Sequence, residues 1–149
     1  MRAVIQRVRE AQVLVDDKTV GKIGQGLLVF LGIADSDEEH DADYLVSKIL
    51  HLRILKDSEG KFNLSLRDTQ GSLLVVSQFT LLGDCRKGRR PSFTDAASPE
   101  KARRLYEYFI ASVAEQRVPV ASGEFQAMMD VHLINDGPVT MLLDSKRTF

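Results

Sequence analysis

Two short runs of the chain combine hydroxyl, amide and backbone groups in a way that could build a reactive site. Ser77 to Leu81 reads Ser-Gln-Phe-Thr-Leu and ends an apolar stretch with two hydroxyls and an amide. Asn135 to Thr140 reads Asn-Asp-Gly-Pro-Val-Thr and places a Gly-Pro peptide directly before another apolar stretch. Neither run contains a Cys, His or Lys that could act as a strong base or nucleophile. A site built from them would work by shape, by backbone groups and by hydroxyls.

Ordinary structural roles are open for both runs at this point. Ser77 and Thr80 could bond to nearby backbone, and Gly137-Pro138 could be a simple turn into a strand. A Ser or Thr nucleophile would need an activating base. The three histidines of the chain stand in no recognisable triad setting, and no group of His, Cys, Asp and Glu has metal-ligand spacing. We therefore predict neither a catalytic metal nor a cofactor.

Composition indicates an ordinary globular protein. The chain has 149 residues, of which 44% are hydrophobic and 28% are charged, and its formal net charge is −1. That charge creates no overall basic field, so any contact with nucleic acid must come from a local patch. The single Cys85 excludes an internal disulfide and favours a reducing cytoplasm. The start of the chain lacks the apolar stretch of a signal peptide, and no apolar run is long enough to span a membrane.

The hydrophobic pattern predicts many strands and two amphipathic helices. Period-two alternation and continuous apolar runs indicate strands at 3–15, 19–23, 27–33, 51–55, 72–82, 118–121, 128–134 and 139–143. Apolar residues at helical spacing indicate helices at 35–50 and 98–116, the second with Ser98 as N-cap and Pro99 in the first turn. Strands and helices do not alternate regularly. We predict a single α/β domain over residues 1–149, with antiparallel or mixed β-sheets forming a barrel-like core.

Together the two runs resemble the signature motifs of the D-aminoacyl-tRNA deacylases, dimeric proofreading enzymes that remove D-amino acids from tRNA. Three further segments are similar to the same family: Gln6-Arg7-Val8, Gly88 to Phe93, and Gly123-Glu124-Phe125. The similarity covers nearly the whole chain, in order and with similar spacing. Two positions depart from the family pattern. Gln126 stands where the family often has a small residue, and Met128 stands where it often has an acid.

The resemblance implies a homodimer with a chiral filter. In this family the Gly-Pro peptide is cis and enters the pocket of the partner subunit, a role that falls here to Gly137 and Pro138. A rigid backbone wedge would accept a D-residue whose side chain points outward, whereas the Cβ of an L-residue would collide with it. Glycine has no Cβ, so we expect some cleavage of glycyl-tRNA as well.

The resemblance also implies how the ester is cut. The 2′-hydroxyl of the terminal adenosine is expected to assist, so that the protein need not supply a strong base. Ser77, Gln78 and Phe79 would contribute backbone N–H groups and orientation. Thr80 is the rival candidate, as a direct nucleophile.

Five further residues are predicted to bind the aminoacyl-tRNA. Phe125 resembles the family's aromatic residue that contacts the terminal adenosine, and Met141 in the last strand is a further substrate-binding candidate. Arg89 and Arg90 belong to a basic loop that fits phosphate contacts with the acceptor end. Arg7 resembles an arginine that lies near the Gly-Pro loop and orients it.

Two other functions compete with D-aminoacyl-tRNA deacylation. A hydroxyl-nucleophile esterase for small esters would be labelled covalently at Ser77 or Thr80. An RNA-binding module would use the basic loop with Phe93 and Phe125 as stacking surfaces, and would bind tRNA without cleaving an ester.

Overall fold

The computed structural model describes all 149 residues, which form a curved six-stranded sheet, a small two-stranded sheet, and helices. The strands are β1 (Arg2–Val15), β2 (Lys18–Ile23), β3 (Gly26–Gly32), β4 (Leu55–Lys56), β5 (Phe62–Leu64), β6 (Ser72–Ser77), β7 (Val120–Ser122) and β8 (Asp130–Asp144). Strands β4 and β5 form the small sheet. The α-helices are α1 (Glu39–His51), α2 (Leu66–Thr69) and α3 (Pro99–Glu115). A short 3₁₀ helix spans Phe79–Leu82. None of the α-helices is long and apolar enough to cross a bilayer.

The main sheet is mixed and nearly closes into a barrel. Its strands lie in the order β2-β1-β3-β6-β7, and β8 pairs with the remaining edge of β1. The pairs β3–β6 and β6–β7 are parallel, and the others are antiparallel. The sheet curls far enough for β2 to contact β7. The predicted α/β class with a mixed, barrel-like sheet is therefore confirmed.

Side-chain alternation along the central strands produces two apolar clusters, one on each face of the sheet. Val29 and Val75 belong to the larger cluster, which α1 and α3 cover, whereas Leu28 and Leu74 belong to the smaller cluster on the opposite face. Strands buried on both faces read as continuous apolar runs, which is why β3 and β6 were recognisable from the sequence. Phe109 of α3 is fully buried in the larger cluster. Burial of one such side chain stabilises the fold by about 1.5–3 kcal/mol.

Helix α3 begins where the sequence predicts. Ser98 Oγ accepts the backbone N–H of Lys101 at 3.4 Å, and Pro99 occupies the first turn. Helix α1 begins at Glu39 and not at residue 35. The carboxylate of Asp37 accepts the Ala34 N–H at 2.7 Å, which fixes a turn ahead of the helix.

The prediction of only two helices is wrong, because α2 is a third. Its four residues are capped reciprocally: Ser65 Oγ accepts the Asp68 N–H at 3.3 Å, and the Asp68 carboxylate accepts the Ser65 N–H at 2.8 Å. This arrangement is a capping box with Asp at the third position. A helix of one turn has no hydrophobic period to detect, so only the cap could have indicated it.

Several predicted strand limits are also wrong. His51 is the last residue of α1, and its Nδ1 donates to the Ser47 carbonyl oxygen at 2.8 Å. Of the strand predicted at 51–55 only Leu55 lies in a strand, the two-residue β4. The strand predicted at 118–121 lies at Val120–Ser122. The strands predicted at 128–134 and 139–143 are parts of the single strand β8, which pairs with β1 on both sides of residues 136–139.

Candidate functional site

The first signature run turns away from the sheet directly after Ser77. The Gln78 N–H donates to the Leu31 carbonyl oxygen at 2.8 Å, which is the last bond to β3 before the 3₁₀ helix. The chain can fold over the end of β3 because Gly32 has no side chain. A Cβ at that position would lie 2.7 Å from Leu82 Cδ2. The strand predicted at 72–82 is therefore wrong beyond Ser77.

A cavity of about 640 Å³ opens beside this turn. It has 16 lining residues, of which 11 are hydrophobic, and none carries a formal charge. The structure brings together five of the predicted site residues in its wall: Ser77, Gln78, Phe79, Thr80 and Phe125. The other lining residues are Leu31, Ile33, Val76, Ala97, Pro99, Ala102, Gln126, Ala127, Met128, Met129 and Val131. A mostly apolar concavity with a few polar groups is typical of a small-molecule site.

The polar groups of the turn are partly engaged. Gln78 Nε2 donates to the Thr80 hydroxyl, so an amide and not a base contacts that oxygen. The backbone N–H of Gln78 is used by β3, which removes it from the predicted set of donors for a substrate. Phe79 is 56% exposed, and its ring meets the Phe93 ring edge-on with centroids 5.0 Å apart. The basic loop that contains Phe93 therefore packs against the mouth of the cavity.

Phe125 also lines the cavity, and residues of helix α3 contact its ring. The ring of Tyr106 is tilted by 41° against it with centroids 5.7 Å apart, and the guanidinium carbon of Arg103 lies 4.7 Å from the Phe125 centroid. Tyr106 is buried, its hydroxyl donates to the Val75 carbonyl oxygen at 2.8 Å, and burial raises its pKa to about 12. The phenol is thus a neutral support at physiological pH. Neither Tyr106 nor Arg103 is among the site residues predicted from the sequence.

The second signature run forms a loop that leaves the β1–β8 ladder. Gln6 pairs with Thr140 and Val8 pairs with Asn135, so the intervening residues of β8 bulge out opposite one residue of β1. Gly137 and Pro138 are exposed at its tip, and the peptide bond between them is cis, as the resemblance implies. Gly137 has φ +141°, a conformation that side chains disfavour.

Side chains on both strands hold this loop. Asn135 Oδ1 accepts the Val139 N–H at 2.8 Å across it. Arg7, which is 2% exposed, lies beneath it and donates from Nε to the Asp136 carbonyl oxygen at 3.0 Å. Nε also lies 3.2 Å from the Asp136 carboxylate. The structure thus places Arg7 beside the Gly-Pro loop, and not in the cavity.

Within one chain the loop and the cavity are separate. Arg7 pairs with Leu27 of β3, whereas Ser77 pairs with Leu31, four positions further along the same strand. At 3.3 Å per residue the offset along the sheet is about 13 Å. Neither Gly137 nor Pro138 lines the cavity.

Three other predicted substrate residues also lie outside the cavity of the same chain. Met141 pairs with Ile5 and packs against the helix-covered core. Arg89 and Arg90 are exposed in the loop that the bridge between Asp84 and Ser92 closes. No group of three His, Cys, Asp or Glu residues is arranged to hold a metal ion.

Comparison with known proteins agrees with this architecture. The family model described as D-Tyr-tRNA(Tyr) deacylase matches residues 4–144. A protein of Thermosipho melanesiensis named D-aminoacyl-tRNA deacylase is 61% identical over the full length of both chains. A protein of Thermotoga petrophila with the same name is 56% identical, also over both full lengths.

Two solved structures are similar in fold. One, named "c-Myc DNA Unwinding Element Binding Protein", has a TM-score of 0.91 and 39% identity, with 97% of this chain and 98% of that chain covered. The other, described as a probable eukaryotic D-amino acid tRNA deacylase, has a TM-score of 0.80 at 23% identity, with 96% and 98% covered. The full-length relatives and the family model place the chain among hydrolases. It belongs to the D-Tyr-tRNA(Tyr) deacylase family, so the family predicted from the two signature runs is confirmed.

Proposed function

We propose that the protein hydrolyses the ester that joins a D-amino acid to the terminal adenosine of tRNA. Water adds to the ester carbonyl, and the bond to the ribose oxygen breaks. The products are the free D-amino acid as a carboxylate, tRNA with a free terminal hydroxyl, and one proton. The observation that carries the proposal is the uncharged cavity, whose wall contains the first signature run and Phe125.

The cavity suits the aminoacyl end of such a substrate. Its volume of about 640 Å³ falls within the ordinary range for small-molecule sites. Phe125 offers an aromatic face on which adenine can stack, and base stacking of this kind contributes about 1–3 kcal/mol. The side chain of a D-residue points outward, so the site makes few demands on its identity.

The chemistry depends on positioned donors and on the ribose. The first N–H groups of any helix lack intrahelical acceptors, so those of Phe79 and Thr80 are available to the oxyanion. One such interaction typically contributes about 10²–10³ in rate. The 2′-hydroxyl of the terminal adenosine orients the attacking water, because no lining side chain is a base. We expect Thr80→Ala to retain measurable turnover, and its complete loss with tRNA binding intact would favour a nucleophilic Thr80.

A homodimer would bring the two signature runs together. Strand β8 pairs only with β1, which leaves an open edge of 15 residues. Ile134 and Leu142 of this strand are 49% and 60% exposed. An unpaired edge with exposed apolar residues favours association with another chain. We propose that a second copy covers it, and that Gly137-Pro138 of each subunit enters the cavity of the other.

The Gly-Pro loop is proposed as the chiral filter of that composite site. Its tip is exposed and projects from the sheet, while Arg7 and Asn135 hold its base from two sides. A wedge fixed in this way retreats little when an L-residue presses its Cβ against it. Glycyl-tRNA, which lacks Cβ, should be cleaved to some extent, and complete resistance of that substrate would contradict a steric filter.

The basic loop is proposed to contact the acceptor end of the tRNA. Asp84 accepts two hydrogen bonds from the Arg86 guanidinium, whereas Arg89 and Arg90 make no ion pair within the chain. Replacing Arg89 and Arg90 together should make log Kd for tRNA less dependent on salt, by about one unit of slope for each phosphate that the protein no longer neutralises. An unchanged slope would place the RNA elsewhere.

Two alternatives have distinct signatures. A small-ester esterase would turn over free esters and be labelled at Ser77 or Thr80, yet the contacts of both residues include no base. A binding module for RNA, or for DNA in view of the name of one similar protein, would bind without cleavage, and the net charge of −1 does not favour it as the sole role. A cytoplasmic location stays a prediction.

The deciding experiment compares D-tyrosyl-tRNA and L-tyrosyl-tRNA as substrates. The wild-type protein should release D-tyrosine rapidly and spare the L-ester. A Gly137→Ala/Pro138→Ala double variant should lose this difference, whereas Pro119→Ala, an exposed proline ahead of β7, should retain it. Equal release of both forms by the wild-type protein would refute the filter, and release of neither would refute the enzyme.

A further inference from the structure

The cavity contains no charged side chain. The substrate that we propose, however, has a negatively charged phosphodiester close to the ester that reacts. The terminal adenosine of tRNA is attached through a phosphodiester on its 5′ side, which must lie near the mouth if the base stacks on Phe125. All 16 lining residues are uncharged, so any cation that neutralises this phosphate must stand just outside the wall. Burying an anion without such a partner would be costly.

Arg103 is the cation in contact with that wall. Its guanidinium carbon lies 4.7 Å from the Phe125 ring centroid, and its Nη2 donates to Gln126 Oε1 at 3.3 Å, so it touches two lining residues. Two residues of α3, Pro99 and Ala102, line the cavity. Arg103 lies one helical turn after Pro99 and directly after Ala102, so it stands beside the part of the helix that borders the cavity.

The neighbouring cations of α3 are already occupied. Lys101 donates to the Asp35 carbonyl oxygen at 2.6 Å and lies 3.1 Å from the Glu38 carboxylate. Arg104 donates to the Glu39 carboxylate at 2.8 Å. Arg103 has no carboxylate partner, and stacking on a ring leaves the N–H groups at the edge of a guanidinium free for a phosphate.

We propose that Arg103 binds the phosphate on the 5′ side of the terminal adenosine and thereby sets the depth at which the ester enters the cavity. This inference rests on the proposed function, since it takes the aminoacyl-adenosine end as the ligand. Arg103 could affect the substrate by binding this phosphate or by supporting Phe125. Only the first route makes the effect of an Arg103 substitution on affinity depend on the 5′-phosphate.

The test uses two pairs of small ligands. One pair is the 3′-D-tyrosyl ester of adenosine and of adenosine 5′-phosphate, assayed for hydrolysis; the other is the corresponding pair of non-hydrolysable 3′-amides, assayed for Kd. The wild-type protein should bind the phosphorylated amide about tenfold more tightly than the unphosphorylated one, as expected for a hydrogen bond to a charged group. In Arg103→Gln this advantage should vanish, with KM for the phosphorylated ester raised about tenfold and kcat retained.

Two variants complete the design. Arg103→Lys keeps the charge and should keep part of the phosphate advantage, whereas Arg104→Gln, the matched control on the next residue, should keep all of it. Equal losses on both members of each pair would mean that Arg103 only supports Phe125, and an unchanged Arg103→Gln would exclude any role; either result overturns the proposal. Failure of the wild-type protein to release tyrosine from D-tyrosyl-tRNA would refute the proposed function alone, because the amide pair still tests Arg103.

Discussion

The guanidinium of Arg7 and the backbone of Asp136 are joined directly, with Nε donating to the carbonyl oxygen at 3.0 Å. A second N–H of the same group donates to the Ile54 carbonyl oxygen at 2.6 Å. The planar guanidinium has a fixed fork of donors, so one buried side chain connects β1, the segment before β4 and the Gly-Pro loop. The orientation of that loop therefore depends on a residue 129 positions earlier in the chain.

Arg7→Lys tests this connection. An ammonium group on a flexible stem cannot reproduce both bonds, so one buried carbonyl loses its donor at a cost of about 1–3 kcal/mol in the free energy of unfolding. The ratio of D- to L-tyrosyl-tRNA deacylation should fall about tenfold or more, because the loop gains freedom to retreat. Arg9→Lys is the control: Arg9 is 73% exposed at the side chain and lies 3.7 Å from the same Asp136 carboxylate. An unchanged ratio in Arg7→Lys would mean that Arg7 has no part in the discrimination between D- and L-residues.

The sequence was sufficient to predict the positions of the elements that have a strong hydrophobic pattern. The buried strands β3 and β6 are continuous apolar runs, and α3 has both a cap and an apolar face, so their positions followed from pattern and cap chemistry. Local contacts decided the rest. Gly32 allows the chain to fold over β3 after Ser77, and nothing in the run Ser77 to Leu81 itself indicates that turn.

The candidate site was predictable only in part, for a related reason. The motifs identified the residues of the turn and Phe125, whereas the supports of Phe125 come from α3, which is distant in sequence. A helix that reads as amphipathic gives no sign that Tyr106 and Arg103 meet a ring on another segment. That contact exists because the curved sheet brings the residues after β7 against α3.

Tyr106→Phe should destabilise the protein. The change removes one of two hydrogen bonds to the Val75 carbonyl oxygen, which also accepts the Gly123 N–H at 2.9 Å, and the loss of one such bond costs about 0.5–1.5 kcal/mol. Urea denaturation should show this loss. Tyr108→Phe is the matched control, since its hydroxyl bonds to Asp43 at an exposed position and its loss should change the free energy of unfolding by at most about 0.5 kcal/mol. Equal effects of the two changes would mean that the buried Tyr106 hydroxyl contributes no more to stability than the exposed Tyr108 hydroxyl.

Acid should destabilise the protein partly through Asp41. Burial tends to raise the pKa of this carboxyl group, but hydrogen bonds from Lys146 Nζ and the Glu38 N–H outweigh it and lower the pKa below its usual 3.8. A lowered pKa in the folded state means that the unfolded state binds more protons, so the stabilisation is present above about pH 4 and is lost as the pH falls further.

Asp41→Asn separates this contribution from the other carboxylates. The variant should be less stable than the wild-type protein at pH 7, and the difference between the two should shrink between about pH 4 and pH 2. Thermal unfolding at several pH values measures it. A difference that stays constant across this range would show that the charge of Asp41 contributes nothing to stability.

Leu142→Lys should weaken the proposed homodimer. The side chain is 60% exposed on β8, whose second edge has no partner within the chain, and we expect a second copy to cover it. Burial of a leucine contributes about 1.5–3 kcal/mol, so a charged replacement should raise the dimer dissociation constant at least about tenfold in sedimentation velocity. Val20→Lys on β2, where the side chain is 41% exposed, is the control and should not change the dimer dissociation constant.

Because the Gly-Pro loop and the cavity are about 13 Å apart along the sheet of one chain, deacylation should fall in step with dimer content. Full activity in a monomeric variant would mean that one chain builds the complete site, and the proposed exchange of loops would be wrong.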